Sequence, residues 1–308
     1  MFNWIKSQCV VGAVALLSAC GGSDDPPPNL VQTLQADPEY SILVEVVAAA
    51  DLVETLNGSG PFTVFAPTNT AFASLLTELG VTKEALLADT ELLTAVLTYH
   101  VFPASVPRAS VPLGKAIATV QGGIFKIDSV GADLIVTDGR NRTSKIIATD
   151  LGASNGVIHT IDKVILPADK TIVETAQGIP DFSILVEAVV AAELVEALSA
   201  AGPLTVFAPT NEAFAALLEE LGVTKEALLA NKPLLTAVLT YHVLDGRVLK
   251  ADVPVGAEIS TLQGDTFTVD ATLTITDQRG RTAGINATDV LASNGVIHVI
   301  DKVILPAE

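Results

Sequence analysis

Four histidines are the side chains best suited to proton transfer or metal binding, and they form two matched pairs, His100 with His242 and His159 with His298. A metal site needs several converging ligands, yet no His-x-His or His-x-x-x-His spacing occurs, and neither cysteine falls beyond residue 20. His159 shares a strand face with Val157 and Ile161, which predicts a core histidine bonded to backbone. Left unpaired there it would cost about 1–3 kcal/mol. Ser293, His298 and Asp301 imitate a hydrolase triad, but positions 298 and 301 differ by an odd number and point to opposite faces of a strand. Gly122-Gly123 lacks the lysine and following helix of a phosphate loop. No catalytic residue, metal or cofactor is assigned.

Binding chemistry is the alternative. Arg140 with Arg142, and Arg279 with Arg281, sit near turn tips of an acidic chain. Guanidinium groups grip carboxylate or sulfate in a bidentate way, so these four are candidate contacts for acidic glycans. Charges on tips that only face water are the other reading. Tyr99-His100 and Tyr241-His242 close Leu-rich helices, so each aromatic is expected to pack beneath a sheet with its hydroxyl bonded. Asn294-Gly295 reads as a turn before a strand, with the glycine supplying a positive φ.

These residues recur because the chain is a duplication. Thr63–Asn69 and Thr205–Asn211 are both Thr-Val-Phe-Ala-Pro-Thr-Asn, and Leu92–Val101 returns unchanged as Leu234–Val243. Ser154-Asn-Gly-Val-Ile-His159 and Ser293-Asn-Gly-Val-Ile-His298 close the two copies. A repeat this long exceeds the roughly 20–50 residues of solenoid units, so two tandem domains are expected, 29–168 and 169–308. The second copy is shorter in a hairpin region. The join at Ala168-Asp169-Lys170 is short and predicts a restricted angle between the domains.

Within each copy, Leu185, Val189, Ala192 and Val195 recur at helical steps, predicting one amphipathic helix over 183–198 with Ser183, like Ser41, as N-cap. Gly60-Pro61 and Gly202-Pro203 stop it. Thr205–Ala208 reads as a strand, and Thr210 or Asn211 caps the helix that follows. Thr266–Asp270 and Leu273–Thr276 alternate with period two. Val296–Leu305 is apolar on both faces and suits a buried central strand. Helices first and strands after predict an α+β fold.

The beginning of the chain carries an address. Lys6 followed by the apolar Val10–Leu17 predicts a secretory signal over 1–19, too short to span a bilayer. Leu17-Ser-Ala-Cys20-Gly21 resembles a bacterial lipobox, which implies cleavage before Cys20 and lipidation of its thiol. Gly rather than Asp after Cys20 favours, by that analogy, the outer membrane. Several acyl chains give lasting attachment, and residues 20–28 form a short Pro-rich tether. Cys9 leaves with the signal, so no disulfide is expected. The net charge of −18 repels nucleic acid and anionic lipid. Mean hydropathy of +0.50 is not a membrane signal, because charges such as Glu187 interrupt the apolar runs.

Thr-Val-Phe-Ala-Pro-Thr-Asn, Tyr-His after a Leu-rich helix, and Ser-Asn-Gly-Val-Ile-His-x-Ile-Asp-Lys-Val-Ile-Leu-Pro together resemble the fasciclin (FAS1) domain, in both copies and across almost all of 29–308. The resemblance implies a wedge or sandwich of mostly antiparallel strands flanked by short helices. It also implies a non-catalytic adhesion protein at a cell surface, binding matrix proteins, cell-surface proteins or polysaccharides. Tyr-His segments of animal members have been proposed as integrin-binding, which makes Tyr99, His100, Tyr241 and His242 candidate partner contacts. Two alternatives remain: a structural envelope or biofilm-matrix protein without a discrete ligand, and an enzyme or solute receptor using a cleft between domains.

Overall fold

The computed structural model describes residues 26–307 and folds them into two seven-stranded sheets with short helices against each. The signal segment, Cys9 and Cys20 lie outside the described residues. In the first copy the helices α1 (Leu30–Gln35), α2 (Ser41–Ala49), α3 (Val53–Leu56), α4 (Asn69–Leu79), α5 (Lys83–Ala88) and α6 (Thr90–Tyr99) precede and follow the first strand along the chain. The strands are β1 (Phe62–Pro67), β2 (Val101–Phe102), β3 (Ala116–Ala118), β4 (Ile124–Val130), β5 (Asp133–Thr137), β6 (Thr143–Ala153) and β7 (Gly156–Ile161). The second copy repeats the helices as α7 (Ile172–Gln177), α8 (Ser183–Ala191), α9 (Val195–Ser199), α10 (Asn211–Leu221), α11 (Lys225–Ala230) and α12 (Lys232–Tyr241). Its strands are β8 (Leu204–Pro209), β9 (Val243–Asp245), β10 (Glu258–Ser260), β11 (Thr266–Val269), β12 (Thr274–Thr276), β13 (Thr282–Ala292) and β14 (Gly295–Ile300).

Each sheet runs β2-β1-β7-β6-β5-β4-β3 or its counterpart, and only the central β1–β7 and β8–β14 pairs are parallel. This is the α+β architecture that the order of elements implies. Side-chain alternation divides each copy into two cores. Val64, Ala66 and Ile158 face the helices, whereas Phe65 and Ile161 join Tyr99 and Phe125 beneath the other strands. Phe65 meets Phe125 edge-on, with ring centroids 4.9 Å apart, the favoured aromatic geometry.

Three local expectations need correction. The helix expected over 183–198 breaks, because Glu193 adopts φ 59° and the Leu194 N–H turns back to the Val189 carbonyl. That is a Schellman ending, and Asp51 makes the same one in the first copy. Ser41 and Ser183 do not cap α2 and α8. The Oδ1 atoms of Asn69 and Asn211 accept from the Ile42 and Ile184 N–H groups instead, while Thr68 and Thr210 cap the helices that follow. Gly156 and Gly295 are needed for close approach rather than for positive φ. A Cβ at Gly295 would stand 2.1 Å from the Leu204 carbonyl oxygen of the parallel neighbour.

Candidate functional site

The closing blocks of the two copies are wired into the scaffold. Asn155 accepts the Leu30 N–H on Oδ1 and donates from Nδ2 to the Leu56 and Gly58 carbonyls. Asn294 repeats this with Ile172, Leu198 and Ala200, so one side chain ties two separated backbone segments to the central strand. His159 and His298 lie beside Phe65 and Phe207 across the parallel pair, and the Nε2 atoms bond the Val106 and Val248 carbonyls at 2.8 Å. The Nδ1 atoms accept the Asp150 and Asp289 N–H groups. Burial pushes His298 below its ordinary pKa.

The triad look-alike is not assembled. Asp301 accepts the Gly284 N–H, and the Ser293 N–H donates to the Lys170 carbonyl. A Gly-x-Ser-x-Gly spelling, Gly152-Ala-Ser154-Asn-Gly156, sits in the hairpin between β6 and β7. A nucleophile elbow needs a strand-to-helix turn, so Ser154 is not one. Among the described residues no three His, Cys, Asp or Glu side chains come together as metal ligands.

Tyr99, His100, Tyr241 and His242 are buried, which places all four proposed partner contacts inside the domains. The Tyr99 hydroxyl donates to the Ile124 carbonyl and accepts the Gly139 N–H, and Tyr241 does the same with Thr266 and Gln278. Burial raises both phenols, that of Tyr241 to about 12. His100 Nδ1 bonds the Val96 carbonyl and its Nε2 accepts the Ile165 N–H, while His242 pairs likewise with Val238 and Ile304. A second ring proton would face an N–H donor. Desolvation and this arrangement hold both histidines neutral, lowered to about 4.

The four arginines belong to turns built on Asp138 and Asp277. Oδ1 of each aspartate collects two N–H groups of the turn, and Oδ2 takes Leu166 or Leu305. Arg140 pairs with Asp169, Arg142 with Glu78 and Arg281 with Glu220, while Arg279 Nε donates to the Pro306 carbonyl. The guanidinium groups thus lie against the chain's own acceptors rather than standing free in water.

Reading the sequence missed the junction between the copies. Lys126 of β4 reaches across to Asp289 at 2.9 Å, and Asp289 also accepts the Lys250 N–H. Burial alone would lower the Lys126 ammonium, but Asp289 and Asp128 outweigh it and hold its pKa up. Asn141 exchanges two hydrogen bonds with the Leu291 backbone, and Ile124 packs with Leu249, Leu291 and Val296. Beside this contact opens a cleft of about 340 Å³ lined from both copies, including Gln121, Pro167, Arg247 and Ser293. The available signal was the mismatch between repeats: Lys126, Asn141 and Leu291 stand where the other copy has Thr268, Gly280 and Gly152.

Both copies resemble known proteins. A family model described as "Fasciclin domain" matches twice, over residues 38–167 and 180–306. Protein sll1483 of Synechocystis is 52% identical over 139 residues, 44% of this chain and 73% of that protein. Human periostin is 30% identical over 318 aligned positions, covering 99% of this chain but 37% of periostin. The chain therefore spans little more than a third of that relative. Among solved structures, a domain pair from the insect cell adhesion molecule fasciclin I matches with a TM-score of 0.44 at 19% identity, over 85% of this chain and 95% of that one.

Proposed function

The chain belongs to the fasciclin domain family, and from that premise we propose that it is an exported, surface-anchored, non-catalytic adhesion protein. Its tandem domains engage a matrix protein, a cell-surface protein or a polysaccharide. One observation carries the reading: the side chains of the repeated blocks, Asn155, His159, Tyr99, His100 and their counterparts, spend their polar atoms on the chain's own backbone. The blocks therefore maintain a scaffold, and recognition falls to the outer surface of a braced pair. Arg140, Arg142, Arg279 and Arg281 are the candidate contacts at such a surface, with Arg140 32% exposed. Lipidation at Cys20 supplies the anchor. It is tested by the mass of the processed amino-terminal peptide, which Cys20→Ala returns to the unmodified value.

The adhesion reading is tested on an array of matrix proteins and polysaccharides probed with the purified chain. Saturable binding to a member of the array is expected. Binding to none, combined with loss of cell clumping in a deletion strain, would replace adhesion with the structural-envelope reading.

A further inference from the structure

Arg247 is out of place in this molecule. The chain has 35 acidic residues against 17 basic ones. Among the described residues, seven other lysines and arginines are part-buried, and each holds a carboxylate within 3.2 Å. Arg247 is part-buried too, yet no hydrogen bond or ion pair joins it to any described residue, and its Nε is fully buried without a partner. Burial weakens its hold on the proton with nothing opposing. Taking one guanidinium nitrogen out of water without a partner is costly, and an acidic chain had many carboxylates to offer the group.

The position also differs between repeats in a way folding does not require. Thr205 Oγ1 donates to the Gly246 carbonyl and accepts the Val248 N–H, as Thr63 does with Ala104 and Val106. Arg247 therefore corresponds to Ser105, and the same loop closes with serine. Arginine stands only in the copy whose loop faces the other domain across the cleft. Of the remaining wall groups, Gln121 Nε2 and Ser293 Oγ have no bond to any described residue, while Pro167 and Ala168 supply apolar surface. At about 340 Å³ the cleft lies at the small end of ligand sites, which run roughly from 300 to 1,000 Å³.

We infer that this cleft binds a small hydroxylated carboxylate, of the size and chemistry of one uronic acid sugar, with its carboxylate on Arg247 and its hydroxyls towards Gln121 and Ser293. Arginine matches a planar carboxylate in a two-point grip. One cation against a net charge of −18 suits a monoanion better than a phosphate dianion. The sugar is either free or one residue of an acidic polysaccharide, and both sources present the same group. This site goes beyond the adhesion reading and does not depend on it.

The test is calorimetric titration of the purified chain with glucuronate, an oligogalacturonate, glucose and inorganic phosphate. Glucuronate or the oligomer is expected to bind in the millimolar range or tighter, with glucose silent. Binding by the oligomer alone identifies a polysaccharide source, and equal binding identifies the free acid. Arg247→Ser, which installs the residue of the first copy, should keep the melting temperature and weaken binding by about tenfold or more, the worth of a lost charge-assisted hydrogen bond. Amide signals of Gln121 and Ser293 should move on titration of the parent chain. Neither acid binding, Arg247→Ser binding as well as the parent, or phosphate binding more tightly than both acids would overturn the assignment. A silent adhesion array beside a positive glucuronate titration removes the adhesion reading and leaves the cleft standing.

Discussion

His242 makes the scaffold reading measurable. Its Nδ1 bonds the Val238 carbonyl at 2.7 Å and its Nε2 accepts the Ile304 N–H at 3.2 Å. The folded ring is neutral, with its pKa lowered from 6.5 to about 4 mainly by desolvation. Above pH 6.5 the folded and unfolded chains both carry a neutral ring. As pH falls from 6.5 towards 4 the unfolded chain takes up a proton that the folded one refuses, so stability declines, and below about 4 the loss is complete. A pKa displacement of that size corresponds to about 3 kcal/mol. His242→Gln keeps an amide able to give and take hydrogen bonds but cannot titrate. Urea unfolding at several pH values, followed by circular dichroism, compares variant and parent so that the carboxylates common to both cancel. The parent should lose about 3 kcal/mol more than the variant between pH 6.5 and 4. Parallel pH profiles would refute the reasoning, as would a ring found protonated at pH 6 by NMR.

The other expectations also concern stability. Asn294→Ala removes the acceptor for the Ile172 N–H and both donors to Leu198 and Ala200, so about 3 kcal/mol or more should be lost from the second copy, read as a lower urea midpoint. Gly295→Ala forces a Cβ against the Leu204 carbonyl and should exceed the roughly 1–3 kcal/mol of ordinary overpacking, seen as lost amide protection along β8 and β14. Lys126→Met leaves the Asp289 carboxylate, with 3% side-chain exposure, facing no ammonium. A cost of about 3–5 kcal/mol at the junction should lower the calorimetric transition and split it into two.

Pattern in the sequence reached as far as each element's own surface. Period-two alternation located β11 and β12, and the apolar run Val296–Leu305 located β14, although the strand ends at Ile300 before the exposed Asp301 and Lys302. Asn294 shows the limit. A polar residue before a glycine reads as a turn, and nothing local tells that its amide reaches backbone 94 residues away. The break at Glu193 was hidden for a related reason. Left-handed φ is unusual for glutamate, and the cap is secured by bonds back to Val189 and Val190 that composition does not report. Tyr-His was ambiguous because the same two residues serve equally on a surface or in a core. Only the hydroxyl's bond to Thr266 and the ring's bond to Val238 decide for the core.

The junction is where two copies of one fold stop being interchangeable. A head-to-tail contact between like domains extends into an array if each unit keeps both contacting faces. Here the first copy offers Ile124, Lys126 and Asn141, and the second receives them on Leu249, Asp289 and Leu291. The second copy carries Thr266, Thr268 and Gly280 at the offering positions, and the first carries Pro107, Asp150 and Gly152 at the receiving ones. Thr268 cannot give Asp150 an ammonium, and Gly280 has no amide to exchange with a neighbouring backbone. The contact therefore joins these two domains and cannot propagate to a third. Most of the substitutions that make it one-sided are explained by what they touch across the junction. Arg247 has no hydrogen bond or ion pair to any described residue, and so it is the one that points to something outside the chain.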